Sequence, residues 1–213
     1  IGIRGHHPDR SVEAMTGPTR KDVAIAGHQG DIGTATAGLA SDDGNIRATA
    51  LGALERLNEL ADEQLIEAFS DDDPRVRRRA AELAATHSSV DLVPLLADPD
   101  VNVVEMAAWS TGEHESNRPA VLDRLLELAQ NAEEPLVREA SVAALGAIGD
   151  PVAVDVIIAA CSDKPAVRRR AVLALAPFEG PAVEAAIEQA LVDRDWQVRQ
   201  AAEDLRRAQA RPN

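Results

Sequence analysis

The sequence predicts an all-α solenoid of about six antiparallel helix pairs, and three observations carry that prediction. A turn, a Val or Ile anchor and a run of small apolar residues recur six times. The anchors are Ile46, Val76, Val103, Val137, Val167 and Val198, spaced 27 to 34 residues apart. The composition is the second observation: of 213 residues 45% are hydrophobic but only 2% aromatic, with no tyrosine. Alanine and leucine favour helices, whereas sheet cores draw on aromatic and β-branched residues. Third, the apolar residues around each anchor fall at helical spacing. Units of about 30 residues that cannot bury an apolar face alone, and so stack on their neighbours, make a solenoid.

Residues 1–18, with His6, His7, Pro8, Gly17 and Pro18, read as a flexible or added N-terminal tail. Ile1 is not a natural start residue, so the chain is expected to be a fragment, a processed form or an engineered form, with Met15 as a candidate internal start. The repeat domain is expected over residues 19–208, followed by a short tail at 209–213. Thr19 to Gly27 reads as an extra helix capped by Thr19. Gly30, Gly33 and Gly38 weaken the first helix of the first pair. Later first helices are marked by Leu65, Ile66 and Phe69, by Leu92, Val93 and Leu96, and by Val121, Leu122, Leu125 and Leu126. Val154, Ile157, Ile158 and Cys161 mark the fifth, and Val183, Ile187 and Leu191 the sixth.

A short acidic turn then leads into each second helix. Proline at positions 74, 135 and 165 suits the first helical residue, where a missing N–H is harmless. An Asp or Glu before it can cap the helix and meet the positive end of its dipole. Four and five residues beyond each anchor stand small or apolar residues, such as Ala171 and Val172. The exception is Glu203, five residues after the last anchor, where a carboxylate reads as a capping repeat with no neighbour beyond it.

The runs Asp73-Pro74-Arg75-Val76-Arg77-Arg78-Arg79-Ala80-Ala81, Pro135-Leu136-Val137-Arg138-Glu139-Ala140 and Pro165-Ala166-Val167-Arg168-Arg169-Arg170-Ala171 resemble HEAT repeats. The resemblance is to the short variety known from bilin lyases and covers roughly residues 30–207. It implies an interaction or scaffold module that binds a protein or peptide on the concave face of the solenoid. The alternatives are a bilin-lyase-like protein that handles a tetrapyrrole-type ligand, and a regulatory fragment of a larger protein. In such families the arginine after the anchor forms an Asp–Arg ladder between repeats, here Arg47, Arg77, Arg138, Arg168 and Arg199. The third repeat has Val104 instead. Positions two and six after each anchor lie on one stripe of the second helix, which in these folds lines the concave face. That stripe places Arg78, Glu105, Trp109, Glu139, Arg169 and Leu173 as the candidate binding face, with Trp109 near its middle. Trp and Arg are the residue types that most often anchor interfaces.

The net charge of −14 argues against a general nucleic-acid or anionic-membrane binder, because both need a positive field. Arginine outnumbers lysine twenty to two, which together with the acidic excess suggests a prokaryotic source. A lone Cys161 excludes an internal disulfide and a cysteine-rich zinc site, and its place on an apolar helix face marks it as an inert small hydrophobe. No apolar stretch reaches the length of a membrane span and no signal peptide is visible, so a cytoplasmic location is expected. His114-Glu115 resembles one of the pairs that bind iron in deoxyhypusine hydroxylases, but the equivalent positions of the next repeats hold Arg138-Glu139 and Arg168-Arg169. No metal site or cofactor is expected. HEAT-like DNA glycosylases need a basic surface with aromatics to hold an extruded base, and two tryptophans in an acidic chain fit that poorly. Asp71-Asp72-Asp73 is too short for a calcium loop and reads as a helix-capping turn. No phosphate-binding loop or nucleophile motif is present, so the expectation is a protein without catalytic activity.

Overall fold

The computed structural model describes residues 17–114 and 118–210. The N-terminal tail up to residue 16, with His6 and His7, and the last three residues of the C-terminal tail lie outside the described residues, as does Glu115. Among the described residues there are twelve α-helices and two short 3₁₀ turns, with no strand. They are α1 (Arg20–Gln29), α2 (Ile32–Gly38), α3 (Gly44–Leu57), α4 (Asp62–Ala68), α5 (Pro74–Ala84) and α6 (Val101–Glu113). There follow α7 (Pro119–Asn131), α8 (Pro135–Ile148), α9 (Val154–Ala160), α10 (Pro165–Ala174), α11 (Pro181–Ala190) and α12 (Trp196–Gln209).

The helices form two layers of an α-solenoid. One layer is the row α1, α3, α5, α6, α8, α10, α12, each packed on the next. The other layer holds α2, α4, α7, α9 and α11, each packed against the second helix of its own pair. The core lies between the layers and consists of residues such as Leu51, Leu65, Leu96, Leu125, Ile157 and Ile187, all fully buried. The anchors Val76, Val103, Val137, Val167 and Val198 are buried as well. Five residues beyond the anchors, Leu51, Ala81, Ala108, Val142 and Val172 are buried, while Glu203 is exposed.

Small residues let the second helices approach closely. A Cβ added at Gly112 would lie 3.1 Å from the Ala144 Cα, and one at Gly146 would lie 2.6 Å from the Ala174 Cβ. Gly27 stands in the same relation to Ala53, where the added Cβ would be 2.9 Å away. The extra helix α1 is therefore one more member of the second-helix row rather than an appendage. Thr19 caps it in a reciprocal box with Asp22: Asp22 N–H donates to Thr19 Oγ1 at 3.2 Å and Thr19 N–H donates to Asp22 Oδ2 at 3.0 Å.

Two expectations about the elements need correction. The third pair has no first α-helix. Leu92 and Leu96 are buried as a helix would bury them, but the segment is irregular apart from a 3₁₀ turn at Leu95–Ala97. The spacing of 27 residues from Val76 to Val103 is the shortest of the set, and Pro94 interrupts the segment by removing an N–H and disfavouring helix at the residue before it. The capping role assigned to the turn residues holds for aspartate only. Asp43, Asp73, Asp100 and Asp195 each accept an N–H of the first turn, whereas Glu134 makes no such bond, and Lys164 occupies the site before α10. Aspartate has the shorter side chain that reaches back to the N2 amide.

Candidate functional site

The arginines after the anchors point along the stack. Arg47 donates to both oxygens of Asp71, at 2.7 and 2.6 Å, and Arg77 to both oxygens of Asp98, at 2.7 and 2.9 Å. Arg138 holds Asp163 at 2.6 and 2.8 Å, and Arg168 holds Asp193 at 2.9 and 2.8 Å. In each case the third nitrogen donates to a carbonyl of the arginine's own turn: Ser41, Asp71, Ala132 or Asp163. Each guanidinium thus ties its own turn to that of the following repeat, in the bidentate geometry that suits arginine and carboxylate. The hydrogen bond from Arg168 holds the Asp193 carboxyl below its ordinary range despite partial burial, and Arg138 does the same for Asp163. Among the described residues Arg199 keeps only the carbonyl contact, to Asp193 O at 2.7 Å.

One rung is absent on both sides. The ladder aspartates 71, 98 and 193 stand two residues before the helix-capping residue of their turn. In the turn before α8 that position is Ala132, and the residue that would reach it is Val104. Arginine and aspartate are replaced together, so neither ladder position leaves a stranded charge.

At this same junction the exposed edges of α6 and α8 enclose a cleft of about 370 Å³. Its floor is Gly112, Ala140, Ala143 and Ala144. Trp109, 44% exposed, and Leu136, 43% exposed, form its apolar walls. Glu105, Glu113, Glu139 and Arg170 complete its rim. The Arg170 Nε lies 3.7 Å from Glu139 Oε1, too long for a hydrogen bond, and has no other partner. Leu173, also exposed, lines the adjoining hollow between α8 and α10 with Arg170 and Pro177. Of the residues singled out from the sequence, the structure brings Glu105, Trp109 and Glu139 into one cleft and Leu173 next to it. Arg78, on α5, and Arg169 lie outside both hollows, and it is Arg170, next to Arg169 on α10, that reaches the cleft. Leu136 was not singled out, since it precedes the anchor. Trp196, 64% exposed at the start of α12, is a second exposed aromatic and does not line the cleft.

Other polar groups are accounted for structurally. His114 donates from Nε2 to Ala84 O at 2.6 Å and so ties α6 to α5. Ser110 donates to Ala81 O at 2.6 Å across the same interface. His87 sits between Asp62, at 2.6 Å, and Glu55, at 3.0 Å. Burial opposes its charge, but the two carboxylates outweigh burial and raise its pKa. Burial pushes the Cys161 thiol up to about 11, which leaves it without a useful thiolate. Among the described residues no group of three or more His, Cys, Asp or Glu is placed to hold a metal ion, and no helix is long and apolar enough to cross a membrane.

Two layers of helices, an arginine ladder between turns and an open cleft on the second-helix row define an α-solenoid repeat protein. The family comparisons agree: a model described as HEAT repeats matches residues 89–176, and one described as PBS lyase HEAT-like repeat matches residues 167–193. Over residues 89–193 the chain thus carries HEAT repeats, the last of them of the bilin-lyase type. Compared with curated proteins, the sequence has no match. Among solved structures the fold is similar to crystal structures of engineered proteins. One is 21% identical with a TM-score of 0.61, over 82% of this chain and 96% of that one. Another is 20% identical with a TM-score of 0.59, over 82% and 94%. A third is 18% identical with a TM-score of 0.60, over 92% of this chain and 62% of the other. These likenesses concern the fold alone. The HEAT solenoid is commonly a protein-interaction scaffold.

Proposed function

We propose that the protein is a non-catalytic scaffold that binds a protein or peptide partner on the exposed edge of its second-helix row. The observation that carries this reading is the cleft between α6 and α8, where two large apolar side chains, Trp109 and Leu136, stand exposed above a floor of glycine and alanine. Exposed Trp and Leu in a concavity supply the apolar centre that an interface needs, and the surrounding charged residues supply a polar rim. Arg78, Arg169 and Leu173 extend the face along the row on either side. The alternative ligand, a tetrapyrrole, fits the rim poorly, because bilins carry carboxylates and three of the four charged groups at the cleft are glutamates. Affinity capture from the source lysate with the parent and with a Trp109→Ala, Leu136→Ser variant tests the reading. The parent is expected to retain a partner that the variant loses while keeping its helical circular dichroism. Equal capture by both proteins refutes the placement of the site.

A further inference from the structure

The chemistry of the cleft narrows the kind of partner segment it suits. On α6, Glu105, Trp109 and Glu113 are spaced four residues apart, so the indole lies on one helix stripe with a carboxylate about one turn (~5.4 Å) above and below it. From α8, Glu139 faces the same space. Glu105 and Glu113 form no ion pair among the described residues. Glu139 has Arg170 nearby, but at a separation too long for a hydrogen bond. Three carboxylates and one guanidinium leave the cleft negative, and the half-exposed indole in its wall is a group that attracts cations. The alanine floor offers no hydrogen-bond donor for an anion.

We propose that this cleft takes an arginine side chain from a basic segment of the partner, with the guanidinium against Trp109 and its N–H groups directed at Glu105, Glu113 and Glu139. Arginine fits better than a purely apolar anchor, because its planar head both stacks on an aromatic face and donates to several carboxylates, while its aliphatic stem covers Leu136 and the alanines. This inference rests on the scaffold reading and adds the chemical class of the ligand to it. The short-range field also makes the contact salt-dependent, since the charges at the rim are exposed.

The test uses the Trp196→Phe variant of the full chain, which leaves Trp109 as the sole tryptophan, and reads its fluorescence. The probes are three acetylated, amidated seven-residue peptides, identical except for two central arginines, two citrullines or two glutamates. The arginine peptide is expected to change the Trp109 signal saturably and to bind roughly tenfold tighter than the citrulline peptide. That preference should fade at high salt and vanish in the Glu105→Gln, Glu113→Gln, Glu139→Gln variant. Equal binding of the citrulline peptide, tighter binding of the glutamate peptide, or no saturable signal with the arginine peptide overturns the proposal. Partner capture that depends on Trp109 would then still stand, so the two readings fail separately.

Discussion

Replacing Arg168 by valine removes one guanidinium from three acceptors at once: both oxygens of Asp193 and the carbonyl of Asp163. The Arg168 side chain is 5% exposed and that of Asp193 is 16% exposed, so water cannot readily take over. Asp193 keeps one hydrogen bond, from the Asp195 N–H at 2.7 Å, but its charge loses its counterion. Breaking a largely buried, doubly bonded pair from one side in this way is expected to cost about 3 kcal/mol. Adding Asp193→Ala removes the stranded charge and recreates the Val104 and Ala132 pairing that the chain already uses between α6 and α8. The double variant is expected to lie only about 1 kcal/mol below the parent, so the second substitution restores about 2 kcal/mol of what the first one lost. Urea unfolding followed by helical circular dichroism measures the parent and both variants, and amide exchange in α10 and α12 shows whether the loss is local, as nearest-neighbour stacking requires. The pH dependence gives a second check. Asp193 has a native pKa below 3.8, so its contribution is present above that value and is lost as the pH falls through the native pKa. The gap between parent and Arg168→Val should therefore close in acid. A double variant no more stable than the single one would refute the stranded-charge argument.

Two further variants probe other points in the stack. Ser141 lies four residues after its anchor, where the other repeats have Ala50, Ala80, Ala107, Ala171 and Ala202, and its buried hydroxyl has no partner. Ser141→Ala is expected to raise stability by about 1 kcal/mol in urea unfolding, and a loss of stability would mean that the hydroxyl has a partner in solution. His87 has a native pKa above 6.5, so its ion pairs with Asp62 and Glu55 contribute fully below pH 6.5 and fade as the pH rises through the native value. His87→Gln should accordingly be about 1–2 kcal/mol less stable than the parent at pH 6 and approach it in alkali. A pH-independent difference would show that packing, not charge, is what the histidine supplies.

The second helices were legible in the sequence because three local signals coincide there: a turn residue, the anchor, and alanines at the buried positions. Where a signal is missing, the reading fails for a physical reason. The first helix of the third pair was misjudged because Leu92 and Leu96 carry helical spacing, while Pro94 and a spacing of 27 residues prevent the helix. The place of α1 in the second-helix row was hidden because it lacks the turn-and-anchor signature; its packing on α3, with Gly27 close against Ala53, reveals it. The acidic partner of each ladder arginine was foreseen as a type but not as a residue, since the partner belongs to the next turn, 21 to 25 residues onward. The choice between Arg169 and Arg170 depends on about 100° of helix rotation, which spacing alone does not resolve when both neighbours are arginines.

The irregularities of the array fall at one place. Between α6 and α8 the ladder pair becomes Val104 and Ala132, Gly112 brings the backbones together, Ser141 interrupts a column of alanines, and Trp109 and Leu136 are exposed on the outer edge. The close glycine approach recurs at Gly27 and Gly146, whereas the exchanged ladder pair and the serine in the alanine column do not. The Gly112 contact draws the lower parts of the two helices close, while the large side chains of Trp109 and Leu136 stand above it, so the junction carries a hollow with tall walls and a shallow floor. The missing rung matters on the turn side. Loss of both partners leaves the turns there without the bidentate clamp that joins the other repeats, and the polar tie between these two pairs runs instead through α7, where Arg124 donates to Leu96 O at 3.1 and 2.9 Å. A ligand seated between Trp109 and Leu136 would then bridge two helices that the ladder does not tie.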